Sequence, residues 1–85
     1  MSKNQYEMRR GSDVLRDGMY LELSIRGSSP LRLVAEVFYS DITHEYFVTG
    51  YEENIPLEIL ENLISKAKKS LPPMKSEQRK VKKRR

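Results

Sequence analysis

The stretch Met19-Tyr20-Leu21-Glu22-Leu23-Ser24-Ile25 alternates strictly, with Met19, Leu21, Leu23 and Ile25 on one side and Tyr20, Glu22 and Ser24 on the other. A period of two puts each set on its own face of an extended chain, so the segment reads as a half-buried β-strand. Gly27-Ser28-Ser29-Pro30 breaks the pattern. Beyond it Leu31, Leu33, Ala35, Val37 and Tyr39 alternate with Arg32, Val34, Glu36 and Phe38 in a second strand. The connection is too short for a crossover, so the two strands run antiparallel. Pairing Arg26 with Arg32 would also set Glu22 opposite Glu36, two like-charge pairs. A shift that sets Ser24 opposite Arg32 and Glu22 opposite Val34 avoids both, and it gives a loop over residues 27–29.

A third strand follows in Tyr46-Phe47-Val48-Thr49-Gly50-Tyr51. With a three-residue loop of Ile42, Thr43 and His44, Asp41 faces Glu45, Tyr39 faces Phe47, and Phe47, Thr49 and Tyr51 lie on the core side. That loop asks His44 for a positive φ, which histidine tolerates better than most residues. A four-residue loop inverts the strand and buries Tyr46 and Val48 instead.

After Asn54-Ile55-Pro56 the period changes. Leu57, Leu60, Leu63, Ile64, Ala67 and Leu71 recur at helical spacing, with Ile59 at the edge of the stripe and Pro56 expected at the first helical position. Glu58 and Glu61 near the start and Lys66, Lys68 and Lys69 near the end suit the helix dipole. Leu71-Pro72-Pro73 stops it. Residues 1–17 show no sustained period, and Gly11-Ser12-Asp13 reads as a turn. The expected fold is α+β, a three-stranded antiparallel meander with one C-terminal helix packed on one face, in the order β-β-β-α. The expected divisions are an N-terminal segment (1–17) that is partly ordered or covers the sheet, the domain itself (18–73) and a basic disordered tail (74–85).

The chain has 85 residues and a net charge of +4. Residues 1–16 hold four cations against two acids, residues 17–73 five against nine, and residues 74–85 seven against one. The body is therefore acidic, and any attraction to polyanions belongs to the ends. No cysteine is present and only one histidine, which excludes disulfides, thiolate chemistry and a histidine-based zinc cluster. No apolar run approaches the length of a membrane span or a signal peptide, so a cytoplasmic protein without membrane attachment is the expectation. There is no glycine-rich phosphate loop, nucleophile elbow or dinucleotide fingerprint. Asp41, Thr43, His44 and Glu45 read as turn chemistry rather than as cation ligands. Glu22 and Glu36 on an open sheet face lack the cleft that carboxylate catalysis requires. No enzyme activity, cofactor, metal or small-molecule substrate is expected.

One helix covers one face of the sheet, which leaves Tyr20, Val34, Phe38, Tyr46 and Val48 on the other in the register above. So large an apolar patch calls for a cover. Either residues 1–16 fold over it or it is an interface, and a homodimer, or docking of another protein, is the expected use. The strand-strand-strand-helix order is similar to that of double-stranded-RNA-binding domains in order only. Those domains carry lysines where the final helix begins, and this chain has Glu52, Glu53, Glu58 and Glu61 there. The second functional expectation is an accessory nucleic-acid-binding role for the tail, through Arg79, Lys80, Lys82, Lys83, Arg84 and Arg85. Engaging about six phosphates would give a slope of about −5 in log K against log salt. The tail has no aromatic residue for base stacking.

Overall fold

The computed structural model describes residues 5–72. Four strands, β1 (Tyr6–Asp13), β2 (Gly18–Ile25), β3 (Leu33–Ser40) and β4 (Tyr46–Gly50), precede one helix, α1 (Leu57–Ser70). The strands form a single antiparallel sheet in the order β1-β2-β3-β4. The α+β class and the meander are as expected, and the strand count is four rather than three.

The additional strand is β1, within the segment read as aperiodic. Its register with β2 pairs Tyr6 with Ile25, Met8 with Leu23, Arg10 with Leu21 and Ser12 with Met19, so these four face the helix side. Only the first two are apolar, because α1 packs across β2 and β3 and leaves most of β1 uncovered. Half of the expected alternation is therefore absent. Gly11-Ser12-Asp13 is strand, and the turn is residues 14–17. There Asp13 Oδ1 accepts the Arg16 N–H at 3.2 Å and Asp17 takes a φ of 54°. What is described of the N-terminal segment thus widens the sheet instead of lying over it.

The β2–β3 register corrects the expectation. Glu22 does stand opposite Glu36, and Leu23 opposite Ala35, after which a bulge shifts the pairing to Ser24 with Leu33. Ile25 then donates to the Arg32 carbonyl at 3.0 Å. The bulge separates Arg26 from Arg32, so only one of the two like-charge pairs forms. That one is compensated. Arg16 reaches back from the β1–β2 turn and grips Glu36 with both terminal nitrogens at 3.2 and 2.9 Å, while Arg9 stands opposite Glu22 on β1. Arg16 Nε also donates to Asp13. Val34, the residue the bulge takes out of register, turns into the core.

The Ser40 N–H donates to Glu45 O at 3.0 Å, which leaves a loop of four residues, 41–44, and the pairs Tyr39–Tyr46, Phe38–Phe47 and Val37–Val48 follow. Tyr46 and Val48 consequently share the helix face, the inverted alternative. His44 has the anticipated positive φ, 62°. The loop is held by Ser40 rather than Asp41, since Ser40 Oγ accepts the N–H groups of Ile42 and Thr43, each at 3.1 Å.

Pro56 precedes the helix as its cap with a φ of −57°, one residue outside the expected position. The buried stripe is Ile59, Leu63 and Ala67, continued by Leu71, whose N–H closes on Ala67 O at 2.9 Å. These close on Leu21, Leu23, Val34, Ala35, Val37 and Tyr39 to make the core. Leu57, expected to lead that stripe, is 68% exposed, because the first turn of the helix falls at the margin of the covered area.

On the outer face two aromatic rings lie on glycines. A Cβ at Gly11 would strike the ring end of Tyr20, whereas one at Gly18 would strike the Tyr39 carbonyl oxygen as well as the Phe38 ring. Gly18→Ala should therefore cost about 2–3 kcal/mol in urea unfolding, and Gly11→Ala about 1 kcal/mol or less, since a flexible side chain can yield. Arg16→Ala strands the buried Glu36 carboxylate and should cost about 1–3 kcal/mol, below the figure for a fully enclosed pair because Arg16 keeps contact with water. Adding Glu36→Val should recover part of that loss. The Arg16 guanidinium also holds the Asp13 carboxyl below its ordinary range. A depressed carboxylate pKa stabilises above the unfolded value, and that stabilisation fades as pH falls through the native value. The stability gap between wild type and Arg16→Ala should thus narrow below about pH 4.

Candidate interaction surfaces

The five residues expected to form one outer patch are divided between two faces. Tyr20 and Phe38 do stand side by side on the outer face, in a row that continues to Phe47. Phe38 is buried there beneath the Arg16 guanidinium, 4.1 Å from the ring centroid. Arg16 thus supplies the cover that the sequence reading sought from a partner or from a folded-back N-terminus. With its face occupied, Phe38 offers no platform for a base. Val34, Tyr46 and Val48 belong to the helix side, Val34 through the bulge and the other two through the four-residue loop. Tyr46 packs on Tyr39 at 5.0 Å between centroids. Burial raises the pKa of both phenols above the ordinary 10, helped at Tyr39 by Asp41 and at Tyr46 by Tyr39.

His44 Nδ1 and Tyr39 Oη share a hydrogen bond of 3.1 Å, which ties the loop histidine to the core. Among the described residues no group of three or more histidine and acidic side chains is placed to hold a metal ion, and no helix is long and apolar enough to cross a membrane. Arg79, Lys80, Lys82, Lys83, Arg84 and Arg85 lie outside the described residues.

Of the eight exposed large apolar side chains among the described residues, three lie on β4 or just beyond it. Phe47 on the outer face is 47% exposed, Val48 on the inner face 52%, and Tyr51 just beyond the strand 52%. β4 is an edge strand, and its backbone has a free side. Since Ser40 N bonds Glu45 O and Tyr51 N bonds Val34 O, the alternation of an antiparallel ladder directs Glu45, Phe47, Thr49 and Tyr51 toward β3. The N–H and C=O groups of Tyr46, Val48 and Gly50 then point away from the sheet. No residue of β4 is charged. Nearby, Glu52 is neutralised by Arg32 at 2.8 and 2.9 Å, and its pKa is lowered by that contact.

A second feature lies at the opposite edge. Between β1 and α1 runs a groove of about 540 Å³, floored by Met8, Leu21 and Leu23 and flanked by Arg10 and Lys66. Arg10 Nε donates to Ser70 O at 3.0 Å, so a strand side chain caps the last turn of the helix. Glu7 and Arg26 close one end, 3.8 Å apart, with Arg26 Nη2 on the Tyr6 carbonyl at 3.0 Å. The helix contributes Ile59 from the buried stripe and Asn62, Lys66 and Ser70 from the stripe beside it. That stripe and the inner positions of β1 were the available sequence signals for this groove, and the missing fourth strand concealed it.

No family model, curated protein or solved structure matches the chain.

Proposed function

We propose that the protein is a non-enzymatic interaction module that associates with a second copy of itself through the free edge of β4. The observation that carries this reading is an uncharged edge strand whose side chains are half exposed on both faces and whose outward backbone groups have no strand beside them among the described residues. Such an edge is a template for pairing with another strand. β1, the other edge, carries Arg9 and Arg10, the latter on the inner face, and charges of this kind deter indiscriminate pairing.

An antiparallel β4–β4 contact is self-complementary about a two-fold axis. With Val48 on the axis, Val48 meets its own copy and Tyr46 meets Gly50 of the second chain. All three outward residues are then satisfied in one continuous eight-stranded sheet. The Tyr46–Gly50 juxtaposition repeats what the chain makes internally, where Tyr20 lies on Gly11. It also shields Val48 and Phe47 from water without covering the Arg16 clasp on the outer face.

Sedimentation velocity at tens of micromolar should show a dimer for the wild type and a monomer for Val48→Lys, with unchanged circular dichroism because the site is exposed. Amide exchange at Tyr46, Val48 and Gly50 should be slow in the wild type and at least tenfold faster in Val48→Lys. Tyr20→Ala, on the outer face, should leave the dimer intact. A monomeric wild type, or a dimer lost with Tyr20→Ala and kept with Val48→Lys, would refute the β4 reading.

A further inference from the structure

Beyond self-pairing, we infer that the opposite edge is a receptor for an extended acidic peptide, which adds to β1 as a fifth strand and lowers its inward side chains into the groove beside α1. Three independent features converge there. The first is backbone geometry. Arg26 N donates to Gln5 O at 2.8 Å, so the alternation of the ladder turns Gln5, Glu7, Arg9 and Gly11 toward β2. Met8, Arg10 and Ser12 present their N–H and C=O groups outward. The Tyr6 carbonyl is already taken by Arg26, which fixes where an added strand must begin.

The second feature is the groove. The same even-numbered residues that offer backbone groups also face the helix side, so the side chains of an added strand that stand beside Met8 and Arg10 would enter the space of about 540 Å³ above Met8, Leu21 and Leu23. Edge pairing supplies affinity through the main chain, and such a groove supplies selection through alternate side chains. The third is charge. Glu7 is shared by Arg9 and Arg26, at 3.5 and 3.8 Å. Arg10 has only the Ser70 carbonyl, and neither Arg10 nor Lys66 has a carboxylate within ion-pair distance among the described residues. Arginine on the inner face of an edge strand repels a basic strand, is left uncompensated when an apolar one covers it, and selects a strand that brings a carboxylate to the same face. The required partner is therefore an extended segment with a central acid beside Arg10 and an apolar residue two positions away beside Met8.

The palindromic peptide Ac-Val-Thr-Glu-Thr-Val-NH2 meets this specification in either direction, with both valines and the glutamate on one face. It is titrated into the isotopically labelled full chain in the Val48→Lys background, so that β4 pairing plays no part. The expected result is chemical-shift change and slowed exchange at Met8, Arg10 and Ser12, with affinity reduced about fivefold by glutamine in place of the glutamate and lost with lysine. Lys66→Glu, at an exposed helix position, should weaken the acidic peptide and restore the lysine one. Asn62→Trp should block both by filling the groove. Equal binding of the acidic and lysine peptides, shifts confined to Tyr46–Gly50, or no shift at millimolar peptide would overturn the proposal. So would persistence of a dimer in Val48→Lys that is lost on Met8→Lys, because a second copy would then be the occupant of β1.

Discussion

One helix is narrower than four strands. An α-helix with its side chains is about 10–12 Å across, and four strands at about 4.8 Å each span about 19 Å. α1 accordingly packs mainly on β2 and β3, and each edge strand is left with an inner face that the helix covers only in part. The consequences on the two sides differ because the residues differ. On the β4 side the uncovered positions are apolar and the strand bears no charge. On the β1 side they grade into Arg10 and Ser12, and the space becomes a groove with cationic walls. The core is complete only over the middle of the sheet.

Among the described residues no second layer covers the outer face, and the Arg16 side chain covers Phe38 there. Arg16 lies over Phe38, binds Glu36 through both terminal nitrogens and holds Asp13 in its own turn. This converts an unfavourable cross-strand pair, Glu22 opposite Glu36, into an anchor for the β1–β2 turn. Burying a carboxylate is costly unless its charge and its lone pairs are met, and a planar guanidinium meets both. Val14 and Leu15 at the tip of the same turn remain in water, Leu15 at 97% exposure.

Much of this architecture was legible in the chain. The strict alternation of Met19 to Ile25, the helical spacing from Leu57 to Leu71 and the left-handed His44 all follow from local rules. What was not legible depended on partners distant in sequence. β1 lacks half its apolar residues because the helix that would demand them lies elsewhere. A pairwise charge argument disfavours the Glu22–Glu36 register only as long as it omits Arg16, a residue contributed by another hairpin. The four-residue loop after β3 rests on Ser40, whose hydroxyl could have served the turn or the strand equally well by sequence. With the loop and the bulge as they are, Val34, Tyr46 and Val48 lie on the helix side, and the expected single patch divides into an outer face where Arg16 covers Phe38 and an open edge at β4.

The order of elements along the chain adds a consequence for how the protein is made. Every strand leaves the ribosome before the helix that closes on it, so a growing chain has its hairpins ready while Leu21, Leu23 and Val37 still face water. A helix of 14 residues is itself marginal in isolation, and a sheet with no cover has little to hold it beyond its turns. Neither half is durable without the other. Burial of Leu21, Leu23 and Val37 waits on α1, and until the helix is in place the inner face of the sheet is as open to a neighbouring nascent chain as to its own helix.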